Sequence, residues 1–212
     1  MVMLQNQTEL PDEVIVIDTS EDKSAYRLLQ MYDTHNLDIL VINNDLTVYE
    51  AWNTGIKESK KENHKLIIND DILIPLDTTE MLNKVAMTDK SLCITPSTYK
   101  NKNYSNTVHD SFHWKAHGKE VMTKNSTKFT GYCFMLSPEC IDKVGLLDEE
   151  FKIWFGDDDY KARILQSGTI TEVVDLFVAH LGGNSYNYQD PQTLAVIDKD
   201  RQLYIKKYGG LP

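Results

Sequence analysis

Residues 151–163 read FKIWFGDDDYKAR and set Asp157, Asp158 and Asp159 side by side behind an aromatic-rich lead. Three adjacent carboxylates repel one another, so they either face water or at least one has a task. A carboxylate crowded by like charges holds its proton more tightly and can act as a general base towards a hydroxyl. The same residues also stand where a helix can start, and acid there is favoured by the helix dipole. Asp159 is then one turn from Arg163 and spaced to pair with it, while Asp158 faces solvent.

A second acidic group lies in LIINDDILIP, residues 66–75, where an apolar run meets Asn69, Asp70 and Asp71 and then turns apolar again. Hard oxygen ligands at a strand end suit Mg²⁺ or Mn²⁺ bridging two phosphate groups. An ordinary polar turn capped by Asp70 accounts for the same letters. The chain has no GxxxxGK[ST] and no GxGxxG after a strand, so a bound diphosphate would need a cation rather than a glycine-rich cradle. His109, His113 and His117 recur every four residues. On a helix they would share a face and could bind zinc, but no cysteine lies near them. The competing expectation is a loop with Phe112 and Trp114 available for contact.

The elements that must carry these groups follow from periodicity. Short β-branched runs at 13–18, 38–42, 65–70 and 92–95 read as buried strands. Between them, Ala25, Leu28, Leu29 and Tyr32, then Val48, Ala51, Trp52 and Ile56, and then TTEMLNKVAM read as helices. Ser20 or Asp22 could cap the first of these. The repeated β-α alternation predicts an α/β domain with a mostly parallel central sheet flanked by helices. In such sheets ligands bind beyond the carboxyl ends of the strands, where Asp18, Asp70 and Asp71 fall. Residues 97–128 lose the pattern and form a long polar stretch. A strand at 129–136, a short helix from Ser137 to Gly145, strands TITEVVD and LFVAH, and a polar, partly helical tail complete the chain. We therefore expect one compact domain of three parts: a Rossmann-like half at 1–96, a variable loop at 97–128, and a second half with its tail at 129–212.

The 212 residues are 41% apolar, enough for a core, and the net charge of −10 opposes nucleic acid and anionic membrane surfaces. The three cysteines, Cys93, Cys133 and Cys140, lack paired metal spacing and fit a reduced compartment. No apolar run approaches a membrane span, and the start has no signal-peptide pattern. The expected setting is the cytoplasm, with work at a membrane periphery through a partner left open.

Several segments together carry a resemblance. IINDDILIP resembles the N-x-D variant of the DxD signature of family 2 glycosyltransferases of the GT-A fold, in the rhamnosyltransferase-like and galactofuranosyltransferase-like branch. NQTELPDEVIVIDTSED resembles that family's QT..P.EIIVVDNGSTD, and YEAWNTGI its A.N.GI segment. FTGYCFMLSPECIDKVGLLDEEF is similar to G..MLIRRE..EKVGGFDE.F, GDDDYKARILQSG to EDVDL..RL...G, and VAHLGGNS to a late histidine motif. The motifs run in the family's order over about residues 5–186.

The resemblance implies a metal-dependent inverting transfer of a sugar from a UDP-, GDP- or dTDP-linked donor to a hydroxyl acceptor, expected to be a glycan. It places the metal on Asp71 with His180 as a further ligand, and the catalytic base on Asp157. Donor contacts fall on Asp18, Thr19, Asn53, Asn69 and Asp70. The acceptor side takes Gly131, Trp154 and Asp158, with Trp154 either stacking on a sugar face or packing in the core. Two departures stand out. The family's glutamate before the base is Gly156 here, and the first strand and helix, with their P.YN motif, have no counterpart before the QT. The fold is therefore expected to be N-terminally shortened. Two other classes remain open: a metal phosphoesterase using Asp70, Asp71 and the histidines, and a non-catalytic sugar-nucleotide-binding module.

Overall fold

The computed structural model describes residues 2–20, 22, 23, 26, 27, 29, 38–98, 121–181 and 188–212. The helix expected around Ala25–Tyr32 falls mostly outside these residues. The histidines at 109, 113 and 117 lie outside them too, as do residues 99–120 of the expected 97–128 loop, whose last residues instead include a strand at Thr123–Ser126.

After a four-residue helix α1 (Val2–Gln5), strands β1 (Val14–Asp18) and β2 (Ile39–Asn43) pair in parallel. Helix α2 (Val48–Glu58) follows, then β3 (Lys65–Ile68), β4 (Ile72–Leu73) and helix α3 (Thr78–Ala86). Strand β5 (Cys93–Thr98) precedes β6 (Thr123–Ser126) and β7 (Cys133–Leu136). Helices α4 (Pro138–Val144) and α5 (Gly156–Ser167), strand β8 (Ile170–His180) and helix α6 (Pro191–Tyr208) complete the order.

The second sheet runs β3-β7-β5-β8-β4, with β6 also pairing β8. The α/β class with flanking helices is as expected, but the sheet is mixed rather than mostly parallel. Only β1–β2 and β5–β8 are parallel among the described pairs; β3–β7, β7–β5, β8–β4 and β6–β8 are antiparallel. The β-α-β unit β3–α3–β5 does point both strands the same way. Strand β7, arriving later in the chain, inserts between them antiparallel to each. Local periodicity reports that a strand exists, not where a later strand will insert. TITEVVD and LFVAH likewise form one strand, β8, whose register against β5 shifts between Pro96 and Ser97.

Side-chain alternation divides the core between two faces. Phe134 and Leu136 of β7 point to a cluster with Tyr49, Phe151, Tyr160, Ile164 and Tyr204, under α2, α4, α5 and α6. Met135 points the other way, to Met81, Leu82, Val85 and Val173 under α3. Each large side chain buried this completely favours folding by about 1.5–3 kcal/mol over leaving it in water. Helix α4 ends as its letters predict: the Ser137 hydroxyl accepts from Cys140 N, and Gly145 takes a φ of 81° that suits glycine.

The chain's first segment is tied to the second sheet. Gln7 is buried; its Nε2 donates to Pro75 O at 2.8 Å and its Oε1 accepts from Thr79 N at 3.0 Å. Strands β1 and β3 each have one edge that no described strand pairs. Both line a single cleft of about 1650 Å³.

Candidate active site

The acidic loop after β3 comes first. Strand β4 pairs antiparallel with the end of β8, Ile72 opposite His180, and Leu181 N donates to Asp71 O at 2.8 Å. This register brings the Asp71 carboxylate to His180, with Oδ1 3.1 Å from Nε2. Tyr132 stacks on the His180 ring at 4.2 Å and 18°, which sets the ring's orientation. Both side chains keep partial exposure to the cleft. A carboxylate oxygen and an imidazole nitrogen at this spacing fit two positions on Mn²⁺ or Mg²⁺. Among the described residues no group of three or more His, Cys, Asp or Glu gathers around a common point. An ion held here would take its remaining ligands from water and from phosphate oxygens. Asn69 and the exposed Asp70 also line the cleft.

Asp157 lines the same cleft from the opposite half of the sequence. Helix α5 opens at Gly156, so all three aspartates stand in its first turn. The helix-start reading of the triplet holds, and the three residues divide. Asp159 is fully buried, receiving Arg163 Nε at 2.9 Å, Lys207 Nζ at 2.8 Å and Tyr208 Oη at 2.8 Å. Asp158 is not left to solvent as expected: it pairs with Lys161 at 2.7 Å while still reaching the cleft. Asp157 has no cationic partner at contact distance among the described residues.

Burial raises the Asp157 pKa above the ordinary carboxylate value, and the charge of Asp158 adds to the rise. The helix N–H groups of Asp157 and Asp158 oppose it without cancelling it. The expected order of causes is thus corrected: desolvation leads, Asp158 follows, and Asp159 is neutralised by its own partners.

Two residues that sequence reasoning did not single out shape this corner. Tyr49, buried on α2, accepts from Gly156 N at 3.0 Å through its hydroxyl. That hydroxyl can donate to Ile153 O at 3.3 Å or to Asp157 Oδ1 at 3.4 Å. A Cβ on residue 156 would sit 2.5 Å from the Tyr49 ring, so only glycine fits beside it. The departure at Gly156 has its reason here: an aromatic ring fills the space any side chain would need. Asp200 on α6 is the second, gathering the backbone ahead of α5. Both are more than forty residues in sequence from what they hold, and no local pattern announces them.

The other expected residues fall as follows. Gly131 lies in the turn before β7 against the Asp157 carboxylate, and a Cβ there would overlap Oδ2. Trp154 stands 43% exposed at the cleft, 6.0 Å from the Tyr188 ring. Asp18 and the exposed Thr19 line the cleft at the end of β1. The Asp18 carboxylate is turned into its own loop, accepting from Ser20 N at 3.0 Å, from the Ser20 hydroxyl and from Tyr26 N at 3.2 Å. Burial pushes its pKa up, but these bonds outweigh that and hold it below the ordinary value. Asn53 does not reach the cleft. It is buried, with its amide between Leu147 O at 2.9 Å, Glu149 Oε1 at 2.8 Å and Leu147 N at 2.9 Å. The expected donor contact is corrected to a brace between α2 and the segment leading to Asp157.

A mixed sheet between helices, with one large cleft at its side, matches the fold of a GT-A glycosyltransferase. The chain is similar to a crystal structure of GalNAc-T7 with UDP, GalNAc and Mn²⁺, at 14% identity and a TM-score of 0.69, over 96% of this chain and 44% of that one. It thus spans less than half the length of that neighbour. No curated protein matches it. Residues 3–145 match the family described as Glycosyl transferase family 2, and the chain belongs to that family.

Proposed function

We propose that this chain is a metal-dependent inverting glycosyltransferase acting on a UDP-, GDP- or dTDP-linked sugar, with a glycan hydroxyl as acceptor. The observation that carries the reading is that Asp157 and the Asp71–His180 pair line one cleft from opposite halves of the chain. The neighbour that holds UDP and Mn²⁺ supports the same class.

Asp71 and His180 would hold Mn²⁺ or Mg²⁺ against the donor diphosphate, and a cation bound there supplies positive charge to the departing phosphate oxygen. Asn69, Asp70, Asp18 and Thr19 border the donor. Asp157 takes the proton of the acceptor hydroxyl, whose oxygen bonds to the anomeric carbon as the bond to the diphosphate breaks. Attack from the face opposite the leaving group inverts that carbon. Its raised pKa keeps Asp157 closer to that of a useful base than an exposed aspartate would be. Gly131, Trp154 and Asp158 border the acceptor. The buried, unpaired thiols of Cys93, Cys133 and Cys140 suit a cytoplasmic setting, and no helix among the described residues is long and apolar enough to cross a membrane.

One observation favours the non-catalytic reading. Among the described residues no strand pairs the free edges of β1 and β3, which leaves that wall of the cleft open. The phosphoesterase reading leans on His109, His113 and His117, which lie outside the described residues.

The test is calorimetry with UDP-, GDP- and dTDP-sugars in Mn²⁺ or Mg²⁺, followed by turnover of Asp157→Asn. Metal-dependent binding is expected, retained in Asp157→Asn while transfer falls about 10²–10⁴-fold. The wild-type rate should rise with pH through a pKa above the ordinary aspartate value, and Asp158→Asn should move that limb to lower pH. Normal turnover by Asp157→Asn removes the base assignment. Binding without turnover at any pH supports the module instead.

A further inference from the structure

We propose that Asp200, on the last helix, is a positioning residue that holds the Trp154 ring as a wall for the acceptor's sugar ring. The proposal rests on the transferase reading above and assigns helix α6 a part in it.

Asp200 is 2% exposed, yet its described partners include no cation. Its carboxylate instead accepts from three consecutive backbone N–H groups. Lys152 N lies 3.1 Å from Oδ1 and 3.2 Å from Oδ2, Ile153 N 2.8 Å from Oδ2, and Trp154 N 2.9 Å from Oδ2. Hydrogen bonds to an ionised acceptor are roughly twice as strong as neutral ones. Three of them on successive residues fix the backbone just before the base.

The next residue shows why such a clamp is needed. Phe155 has a φ of 66°, in the left-handed region that a bulky side chain disfavours. Such a conformation persists only where the surroundings impose it. Asp200 imposes it from one side, and Tyr49, bonded to Gly156 N and reaching Ile153 O, from the other. Between them Trp154 is presented to the cleft at 43% exposure, beside Asp157. Its neighbour Tyr188, two residues before the Asp190 cap of α6, stands 6.0 Å away at 49°. Helix α6 therefore carries the clamp on Trp154 and, just ahead of its first turn, the second aromatic. Two exposed rings next to a base suit the C–H face of a pyranose and define a carbohydrate acceptor.

The test compares Asp200→Asn, Asp200→Ala and Asp200→Glu, with Trp154→Phe as the fluorescence blank. UDP affinity in Mn²⁺, read by calorimetry, should stay within about twofold, because the Asp200 carboxylate bonds residues 152–154 and not Asp18, Asn69, Asp70 or Asp71. Transfer to p-nitrophenyl glycosides should fall about 10–100-fold in Asp200→Asn and further in Asp200→Ala, mainly through a higher acceptor KM. Asp200→Glu should recover part of it. Acrylamide quenching of Trp154 should increase in step with the KM. The assignment is overturned if Asp200→Asn keeps both the acceptor KM and the quenching of the parent, or if UDP affinity and transfer fall together. Should Asp200→Ala not fold, Trp154→Ala must still raise the acceptor KM with Asp200 intact, and a parental KM there also overturns the wall. If the parent transfers no sugar at all, the transferase reading fails, and the quenching of Asp200→Asn alone decides the clamp.

Discussion

On the Asp157 side of the cleft, the segments around the carboxylate are tied to buried groups. On the Asp18 and Asp71 side, the strands are half open. All four residues of β7 are buried, and Phe151, Tyr160 and Ile164 beside it are fully enclosed. Asp159 joins α5 to α6 through Lys207 and Tyr208, Asp200 joins α6 to the loop before Asp157, and Asn53 joins α2 to Leu147 ahead of that loop. In β1 only Asp18 is buried, in β3 only Lys65, and β2 has two exposed positions. Asp18 and Asp159, each at the end of its element and each buried, show the contrast. The first is satisfied by its own turn, whereas the second holds two helices together. In the proposed transfer a base needs a rigid mount, because a small misplacement is costly in rate, and a wall that admits a nucleotide tolerates unpaired edges such as those of β1 and β3.

The largest break in this contrast should come from Asp159→Ala. It leaves Lys207 and Arg163 facing a buried gap, and losing one partner of a buried ion network costs about 3–5 kcal/mol. Both cations keep some exposure, so about 3 kcal/mol is expected. Urea unfolding measures it, and a change below about 1 kcal/mol would mean that α6 is held by apolar packing alone.

Next is Gly156→Ala, which sets a methyl 2.5 Å from the Tyr49 ring and should cost about 1–3 kcal/mol by overpacking. Tyr49→Leu in the same chain should recover part of that. A double-mutant cycle with no coupling between 49 and 156 would separate the two residues.

The smallest effect should come from Glu50, which bridges the two sides. It closes the capping box with Thr47 and pairs with Lys152 at 2.9 Å. The Thr47 N–H, the Lys152 hydrogen bond and the Thr47 hydroxyl lower its pKa to about 2. Because the folded pKa is the depressed one, its contribution is complete above the unfolded value of about 4.3 and is lost as pH falls towards 2. Solvent screening of this partly exposed carboxylate keeps the effect within about 1 kcal/mol. Melting curves between pH 5 and pH 2 should show a fall that is smaller in Glu50→Gln, because the other depressed carboxylates, Asp18 among them, still contribute. Equal falls in both proteins would leave the bridge without weight.

Much of this was legible in the letters. Apolar runs and turn residues located β1, β2, β3, β5, α2, α3 and α4, because burial on one face imposes a period that a short window reveals. The acidic strand ends and the aspartate triplet marked the two sides of the cleft. The mixed order of the sheet was not legible, nor was the shift of Asn53 from donor contact to brace. An asparagine in a helix reads the same whether its amide meets a ligand or a carbonyl 94 residues away.

What the sequence determined by itself is local: which segments are strands and helices, which caps end them, and which residue types can bind a cation or take a proton. Those depend on neighbours within a turn or a pleat. Only the tertiary structure decided that Asp71 meets His180 through the β4–β8 register, and that Tyr49 requires glycine at 156. It also set Asp157 apart from its two neighbours by half-burying it with no cation at contact distance. A carboxylate's pKa and task depend on what surrounds it in space, and for Asp157 those surroundings are drawn from α2, α5, the turn at Gly131 and the loop that α6 holds.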